Sequence, residues 1–256
     1  MSAARFVWYE LMTPDVRPAL DFYTEVIGWR AEDSGVPGVS YTLLKVGDAG
    51  VAGVMGTPAE LQTFGAPPTW SGYIAVDDVD AMAARVTEAG GEVLRPASDI
   101  PGVGRFAVVT DPQNGSFMLF KPVPPQSPPP MPAPDAPGTI GWHELRARDG
   151  AAVFDFYASL FGWTKGEPMD MGPGGIYQLF EIDGVPSGAV MTKEPDQAMP
   201  GWRYYVRVDG IDAALDRVRR LGGTVTMGPA EVPGNLWVAH ARDPQGGVFA
   251  LMSPKK

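Results

Sequence analysis

The chain has 256 residues, 45% of them hydrophobic, and a formal net charge of −10 at pH 7. This length suits one large domain or two small ones, and the apolar content excludes a disordered chain. An acidic surface repels phosphate backbones and anionic lipids and attracts cations, so we expect a small molecule rather than nucleic acid or a membrane as the partner. The absence of cysteine excludes disulfides, thiolate metal sites and cysteine nucleophiles.

Targeting signals are not evident in the sequence. No apolar run approaches the ~20 residues of a membrane span, and the N-terminus lacks the apolar stretch of a signal peptide. We therefore expect a cytoplasmic protein. The chain holds two histidines, His143 and His240, so any metal site would be poor in imidazole.

A proline-rich segment divides the chain into two halves. Nine prolines lie between Pro122 and Pro137, and such a run favours the extended polyproline II conformation of a semi-rigid spacer. We predict a first domain at residues 1–121, a linker at 122–138 and a second domain at 139–256.

The two halves repeat each other in sequence. Three pairs of motifs recur at a spacing of 134 residues, or 132 for the last pair. They lie at Trp8–Leu11 and Trp142–Leu145, at Phe22–Trp29 and Phe156–Trp163, and at Asp111–Gln113 and Asp243–Gln245.

A weaker repeat lies within each half. Apolar residues at helical spacing follow Asp15 and Asp78 and end at Gly28 and Gly90, which predicts two capped helices with strands around them. In chain order the predicted strands are Val7–Met12, Tyr41–Val46, Val51–Met55, Gly72–Val76, Glu92–Arg95, Phe106–Thr110 and Ser116–Phe120. The second half follows the same order, with helices ending at Gly162 and Gly222, so a unit of one strand, one helix and three strands occurs four times.

The pattern resembles the vicinal oxygen chelate superfamily, which includes glyoxalase I, bleomycin-resistance proteins and extradiol dioxygenases. The resemblance is carried by the F-Y-x-x-x-x-G-W helix ends and by the D-P-x-x-G hairpins at Asp111–Gly115 and Asp243–Gly247. It implies an α+β fold of two tandem glyoxalase-like domains. Each domain would contain two βαβββ modules that form a curved mixed-sheet cup with helices outside.

The resemblance also implies where a divalent metal would bind. Metal-binding relatives place His, Glu or Gln on the strands that line the cup, and the matching positions here carry other residue types. None of those residues suits a hard divalent ion, so we expect no metal and no other cofactor. The positions are Trp8 and Trp142, Tyr73 and Tyr205, Met118 and Ala250, and, with a less certain alignment, Val54–Met55 and Val190–Met191.

Strand alternation predicts which side chains face the cups. Trp8 and Glu10 share one face of the first strand, as Trp142 and Glu144 do in the second half. By the same argument we expect both histidines on the opposite, helix-packed face in structural roles.

The candidate ligand-binding residues are mainly aromatic and charged. Trp and Tyr rings suit a planar ring or a cation. A purely structural reading stays open, in which the tryptophans fill the cups and the glutamates pair with an arginine or a backbone amide. The candidates are Trp8, Glu10, Tyr73, Arg105, Met118, Trp142, Glu144, Tyr205, Arg207 and Trp237.

Three functions are consistent with these residues. The first is a metal-free binding protein of the bleomycin-resistance kind that holds a small aromatic or cationic molecule. The second is a lyase, isomerase, dioxygenase or hydroxylase of the family, with Glu10 or Glu144 as general base. The third is a scaffold with filled cups. The sequence leaves open how the modules pair and whether a homodimer forms.

Overall fold

The computed structural model describes residues 3–36, 38–63, 65–124, 129–195 and 197–256. Residues 125–128 of the predicted linker lie outside the described residues. The rest of the chain follows the fourfold order of one strand, one helix and three strands.

The first half contains two such modules. The first module comprises β1 (Phe6–Thr13), α1 (Val16–Ile27), β2 (Arg30–Asp33), β3 (Tyr41–Val46) and β4 (Ala49–Gly56). A short helix, α2 (Ala59–Thr63), leads to the second module. That module comprises β5 (Thr69–Ala75), α3 (Val79–Glu88), β6 (Glu92–Ile100), β7 (Gly104–Thr110) and β8 (Ser116–Pro122).

The second half repeats this organisation. The third module comprises β9 (Ile140–Ala147), α4 (Gly150–Phe161), β10 (Thr164–Asp170), β11 (Ile176–Ile182) and β12 (Val185–Thr192). The fourth comprises β13 (Gly201–Arg207), α5 (Ile211–Arg220), β14 (Thr224–Val232), β15 (Leu236–Arg242) and β16 (Val248–Ser253).

The ends of the long helices follow from the capping residues. Helix α1 begins after Asp15 and ends at Gly28, which has φ 90°. Helix α4 begins after Asp149, whose carboxylate accepts a hydrogen bond from Ala152 N, and ends at Gly162 with φ 73°. Glycine adopts this left-handed conformation without a Cβ clash, so the predicted helix ends are confirmed.

Each half forms one mixed sheet of eight strands. The strand orders are β2-β3-β4-β1-β5-β8-β7-β6 and β10-β11-β12-β9-β13-β16-β15-β14. In each sheet the first strand of a module lies parallel to its last strand, for example β5 with β8 and β13 with β16. The predicted fold class, two tandem α+β domains with βαβββ modules, is confirmed.

The compact units of the molecule combine modules from different halves. Unit 1 contains the described parts of Met1–Trp8, Ser71–Pro128 and His143–Arg203, and unit 2 those of Tyr9–Trp70, Pro129–Trp142 and Tyr204–Lys256. In unit 1, Phe117 and Leu119 of the first half share one buried core with Tyr157 and Trp163 of the second half. Hydrophobic burial therefore joins the two halves within a unit.

Hydrogen bonds to the aspartates of the D-P-Q motifs connect modules from different halves. In unit 1, Asp111 accepts hydrogen bonds from Gln113 N and Gly115 N at 2.7 and 2.9 Å and from the Tyr157 hydroxyl at 2.8 Å. Burial raises the pKa of the Asp111 carboxyl, and these hydrogen bonds act against the rise. In unit 2 the Asp243 carboxylate accepts the corresponding bond from the Tyr23 hydroxyl at 2.9 Å. The motifs that carry the family resemblance are thus structural.

The described end of the linker is bound to unit 2. Gly138 N donates a hydrogen bond to Arg207 O at 2.8 Å, and Trp29 Nε1 donates one to Gly138 O at 2.8 Å. The domain boundaries at residues 121 and 139 stay a prediction.

Candidate functional site

Each module buries one face of its strands against its helix. We call the opposite face the inner face. In the second module, Ile74 and Leu119 are fully buried in the unit 1 core. Tyr73 and Met118, which are paired across β5 and β8, point the other way because successive side chains alternate. Tyr73 packs edge-on against Phe120, with ring centroids 5.6 Å apart, so this inner face is apolar and aromatic.

The fourth module has a related inner face within unit 2. Tyr205 is buried there, and Trp142 at the start of β9 packs against the same cluster while remaining partly exposed. The structure thus brings the predicted candidates Trp142 and Tyr205 together. The full cluster is Tyr205, Ala250 and Met252, with Trp142, Leu236 and Val238 packed against it.

His240 belongs to this inner face, which corrects the sequence-based expectation. The Tyr205 hydroxyl and His240 Nε2 lie 2.8 Å apart, and both side chains are buried. The expectation of a helix-packed His240 was wrong because Ala239 and Ala241, fully buried on the helix side, leave the residue between them on the inner face. His143 does lie on the helix-packed side, where its ring stacks on Phe6 with centroids 4.3 Å apart.

Arg207 lies two residues after Tyr205, on the same face of β13. A Cβ atom on Gly141 would overlap its guanidinium, so the side chain lies directly over the backbone of β9. Burial lowers the pKa of the Arg207 guanidinium, and the negative charge of Asp135 and the phenol of Tyr9 act the other way. Its Nη1 atom donates a hydrogen bond to Thr139 Oγ1 at 3.4 Å. Within the part of the chain that the structure describes, no carboxylate lies within 4.0 Å of the Arg207 guanidinium, the limit for an ion pair.

Glu144 is the centre of a buried ionic network in unit 1. Its Oε1 atom accepts hydrogen bonds from Arg146 Nε at 2.6 Å and from Arg203 Nη1 at 3.2 Å, and Oε2 accepts one from the Tyr177 hydroxyl at 3.2 Å. Arg146 also pairs with Glu194, whose pKa this bond lowers. Two guanidinium groups balance the charge of Glu144, as the structural reading of the sequence proposed.

Glu10, the first-half counterpart of Glu144, is also buried, with 5% of its surface exposed. It is paired with Gly53 across β1 and β4. A Cβ on Gly53 would overlap the Tyr41 phenol, so glycine is required where that ring crosses the strand. Trp8, two residues earlier on β1, is partly buried within unit 1.

Arg105 and Trp237 do not join the other candidates. Arg105 lies on the same face of β7 as the core residues Ala107 and Val109. Its guanidinium donates hydrogen bonds to the Asp80 carboxylate of α3 at 2.7 and 2.8 Å. It is also bonded to Asp99 at 2.9 Å.

Trp237 lies on the same face of β15 as the fully buried Ala239 and Ala241. Lys256 Nζ lies 4.9 Å from the centroid of the Trp237 ring. The structure thus places Arg105 and Trp237 on the helix side of their strands, and a ligand-binding role for either stays a prediction.

Sequence reasoning also missed contributors to these faces. Arg203 lies two residues before Tyr205 and four before Arg207 on β13, so the period-2 pattern of a strand could have placed it on the same inner face. Glu194 follows β12 in a loop, and no local signal connects it to Arg146.

Comparison with known proteins identifies the family. Residues 5–119 and 139–251 match the model of the Glyoxalase/Bleomycin resistance protein/Dioxygenase superfamily. The chain belongs to this superfamily. Both halves are matched, which agrees with four copies of one module.

Two relatives of this superfamily member align over nearly the whole chain. The protein called "Putative glyoxylase CFP32" from Mycobacterium tuberculosis is 33% identical over 255 residues, which cover 96% of this chain and 94% of the relative. The "Anthracycline biosynthesis protein DnrV" of Streptomyces peucetius is 32% identical over 258 residues, covering 96% and 91%.

Solved structures share the superfamily fold at low identity. The Mn(II)-bound glyoxalase from Novosphingobium aromaticivorans gives a TM-score of 0.68 at 16% identity, over 100% of this chain and 84% of that one. The 2,3-dioxygenase LapB from Pseudomonas sp. KL28 gives 0.66 at 15%, over 99% and 93%. At this identity the likeness concerns the fold alone.

The residues at the superfamily's metal positions do not fit a divalent ion. Tyr73 packs against an aromatic ring and Tyr205 is hydrogen bonded to His240, while Met118 and Ala250 offer no hard donor. Among the described residues, no three His, Asp or Glu side chains are grouped to hold a metal. This donor set does not support a metal-centred reaction at these positions.

Among the residues that the structure describes, no helix is both long and apolar enough to span a bilayer.

Proposed function

We propose that the chain is a small-molecule binding protein that holds a planar aromatic compound without a bound metal. The observation that carries this proposal is the inner face of the fourth module. There the partly exposed Trp142 packs beside the buried Tyr205, which is hydrogen bonded to His240. Arg207 follows Tyr205 by two residues on β13, so strand alternation puts its side chain on the same face. An apolar surface with a few polar groups is typical of small-molecule sites.

Aromatic recognition is better supported than cation recognition. The charge of Glu144, a carboxylate that could have attracted a cation, is already balanced by Arg146 and Arg203. The name of the Streptomyces relative, an anthracycline biosynthesis protein, also favours an aromatic ligand, since an anthracycline contains fused planar rings.

The proposal is tested with a neutral planar probe, 2-(hydroxymethyl)anthraquinone. Isothermal titration should show binding to the wild-type chain, and Trp142→Ala should weaken it about fivefold or more, because a stacked ring contributes about 1 kcal/mol beyond its buried area. The matched control is Trp8→Ala, which removes the first-half counterpart of Trp142. Equal affinity of the wild type and Trp142→Ala would contradict binding on this face.

A family enzyme with Glu10 as general base is the alternative. Its support is the burial of Glu10 and the word glyoxylase in the name of the Mycobacterium relative. A carboxyl in an apolar environment can act as a base near neutral pH. Incorporation of solvent deuterium into a bound compound by the wild type, and not by Glu10→Gln, would favour this alternative over simple binding.

The remaining expectations accompany the proposal. The net charge of −10 favours a partner other than nucleic acid or an anionic membrane surface. A cytoplasmic location stays a prediction, and the formation of a homodimer is an open question. Sedimentation of the purified chain with and without the probe tests the oligomeric state.

A further inference from the structure

We propose that the ligand of the fourth-module inner face carries an anionic oxygen, such as an aromatic carboxylate or phenolate, which the guanidinium of Arg207 binds. This inference rests on the proposed function and names its ligand class. The site consists of Trp142, Tyr205, His240, Arg207 and Met252, all of which belong to unit 2.

The first support is the unusual position of Arg207. The guanidinium is half-buried over Gly141, and its hydrogen bond to Thr139 Oγ1 is long at 3.4 Å. Among the described residues it forms no ion pair, whereas Arg105, Arg146 and Arg203 all do. A guanidinium presents five N–H donors in a fork that matches a carboxylate, so much of its donor capacity is available to a ligand.

The second support is that the first half lacks this arrangement. At the position 132 residues before Arg207 the chain has Ala75, and at the position 134 residues before Gly141 it has Val7. The large cation and the glycine that accommodates it therefore occur together in the second half alone. A guanidinium placed only to stabilise the shared scaffold would be expected in both halves.

Among the described residues, no neighbouring carboxylate neutralises Arg207 through an ion pair. Asp135 and Tyr9 are the groups whose charges influence Arg207. Burial raises the pKa of Tyr9 well above its usual range, so its phenol is neutral at pH 7. Asp135 is exposed and lies beyond ion-pair distance, so it competes only weakly for the guanidinium.

The Tyr205–His240 pair completes the recognition surface. Each ring supplies the hydrogen-bond partner of the other at 2.8 Å, which fixes the Tyr205 ring against Met252 and Trp142. The rings would hold a planar body while Arg207 binds its charged substituent. Because the whole chain has a net charge of −10, attraction of an anion must come from this local group.

A matched ligand series tests the inference without any mutation. The probes are anthraquinone-2-carboxylate, 2-(hydroxymethyl)anthraquinone and 2-(aminomethyl)anthraquinone, which share one ring system and differ in charge. Titration of the wild-type chain at low salt should give the carboxylate an affinity about 10-fold higher than the neutral probe, with the amine weakest, as for a charge-assisted hydrogen bond.

Variants assign the preference to Arg207. Arg207→Gln should remove the preference for the carboxylate and leave the neutral probe nearly unchanged, whereas Arg207→Lys should retain part of it because the charge remains. Asp135→Asn should strengthen carboxylate binding about twofold by removing the competing charge. The matched control is Arg105→Gln, which removes a guanidinium that is already paired with Asp80 and Asp99.

The outcomes separate this inference from the proposed function. Binding of all three probes with equal affinity, or tightest binding of the amine, would overturn the anionic class while leaving aromatic binding intact. Failure of every probe to bind the wild type would overturn both. A carboxylate preference that survives in Arg207→Gln would show that another group recognises the anion.

Discussion

The second and fourth modules have the same scaffold and different inner faces. In both modules the first strand carries a tyrosine on the inner face, Tyr73 in β5 and Tyr205 in β13. Each of these strands is paired in parallel with the last strand of its module. Around Tyr73 the side chains are large and apolar, whereas those around Tyr205 are smaller or polar. The first half has Phe106, Val108, Met118 and Phe120 where the second half has Val238, His240, Ala250 and Met252.

This difference shows where the repeats are constrained and where they are free to diverge. The hydrogen bonds from Tyr157 to Asp111 and from Tyr23 to Asp243 match in both units, because each connects modules from different halves. Replacing Phe by Val and Met by Ala removes side-chain volume, and adding His240 and Arg207 supplies polarity, so the fourth module has the composition of a ligand site.

The largest expected effect comes from separating the halves. Residues 1–121 alone and residues 139–256 alone should each lose cooperative thermal unfolding, because each leaves half of two shared cores exposed to water. In unit 1 the rings of Phe117 and Tyr157 are 5.5 Å apart, and in unit 2 those of Tyr23 and Phe249 are 5.3 Å apart. Circular dichroism melts measure the loss, and co-expression of the halves should restore the transition.

The control for this experiment is the full chain with a protease site inserted in the linker. After cleavage the two fragments should co-elute in native size-exclusion chromatography and separate in denaturant. A cooperative transition of either half alone, at the Tm of the full chain, would mean that the units do not depend on both halves.

A smaller loss is expected from Glu144→Gln in the third module. Removing one charge of a buried network costs about 3 kcal/mol, because Arg146 and Arg203 remain buried with less compensation. Urea unfolding measures the change. Glu194→Gln, at the half-exposed end of the same network, is the matched control and should cost less than about 1 kcal/mol. Equal losses for the two variants would contradict the buried ionic centre.

His240→Val converts the fourth-module face toward that of the second module, which has Val108 at this position. The loss of the hydrogen bond to Tyr205 should lower the free energy of unfolding by about 1 kcal/mol. A double-mutant cycle with Tyr205→Phe should give a coupling energy of similar size. A coupling energy near zero would show that the pair contributes nothing to the face.

Local signals determined which parts of this structure could be predicted from sequence. The ends of α1 and α4 and the D-P turns follow from neighbouring residues such as Asp15 and Gly28, so they were predicted correctly. The faces of β7 and β15 were not, because both sides of these strands carry buried residues, and alternation without polar contrast does not identify the helix side. His240 was placed on the wrong face for this reason.

The partners of Arg105 could not be predicted for a further reason. Asp80 lies 25 residues away on α3, and Asp99 lies on the neighbouring strand, so tertiary structure brings the three together. The hydrogen bond from Tyr23 to Asp243 joins residues 220 positions apart, so local sequence patterns could not predict it either.

The smallest expected effect concerns this Arg105 cluster and its pH dependence. Hydrogen bonds from Arg105 hold the pKa of the Asp80 carboxyl below its ordinary value. A carboxyl with a lowered folded-state pKa stabilises the fold above its unfolded pKa, and this stabilisation is lost as the pH falls through the lowered value. Arg105→Gln should therefore lower Tm slightly at pH 7, by less than any variant above, since the groups are substantially exposed. The difference between wild type and variant should shrink as the pH is lowered toward about 3. Differential scanning calorimetry across this range measures it, and a difference that grows on acidification would show that Arg105 acts through something other than Asp80.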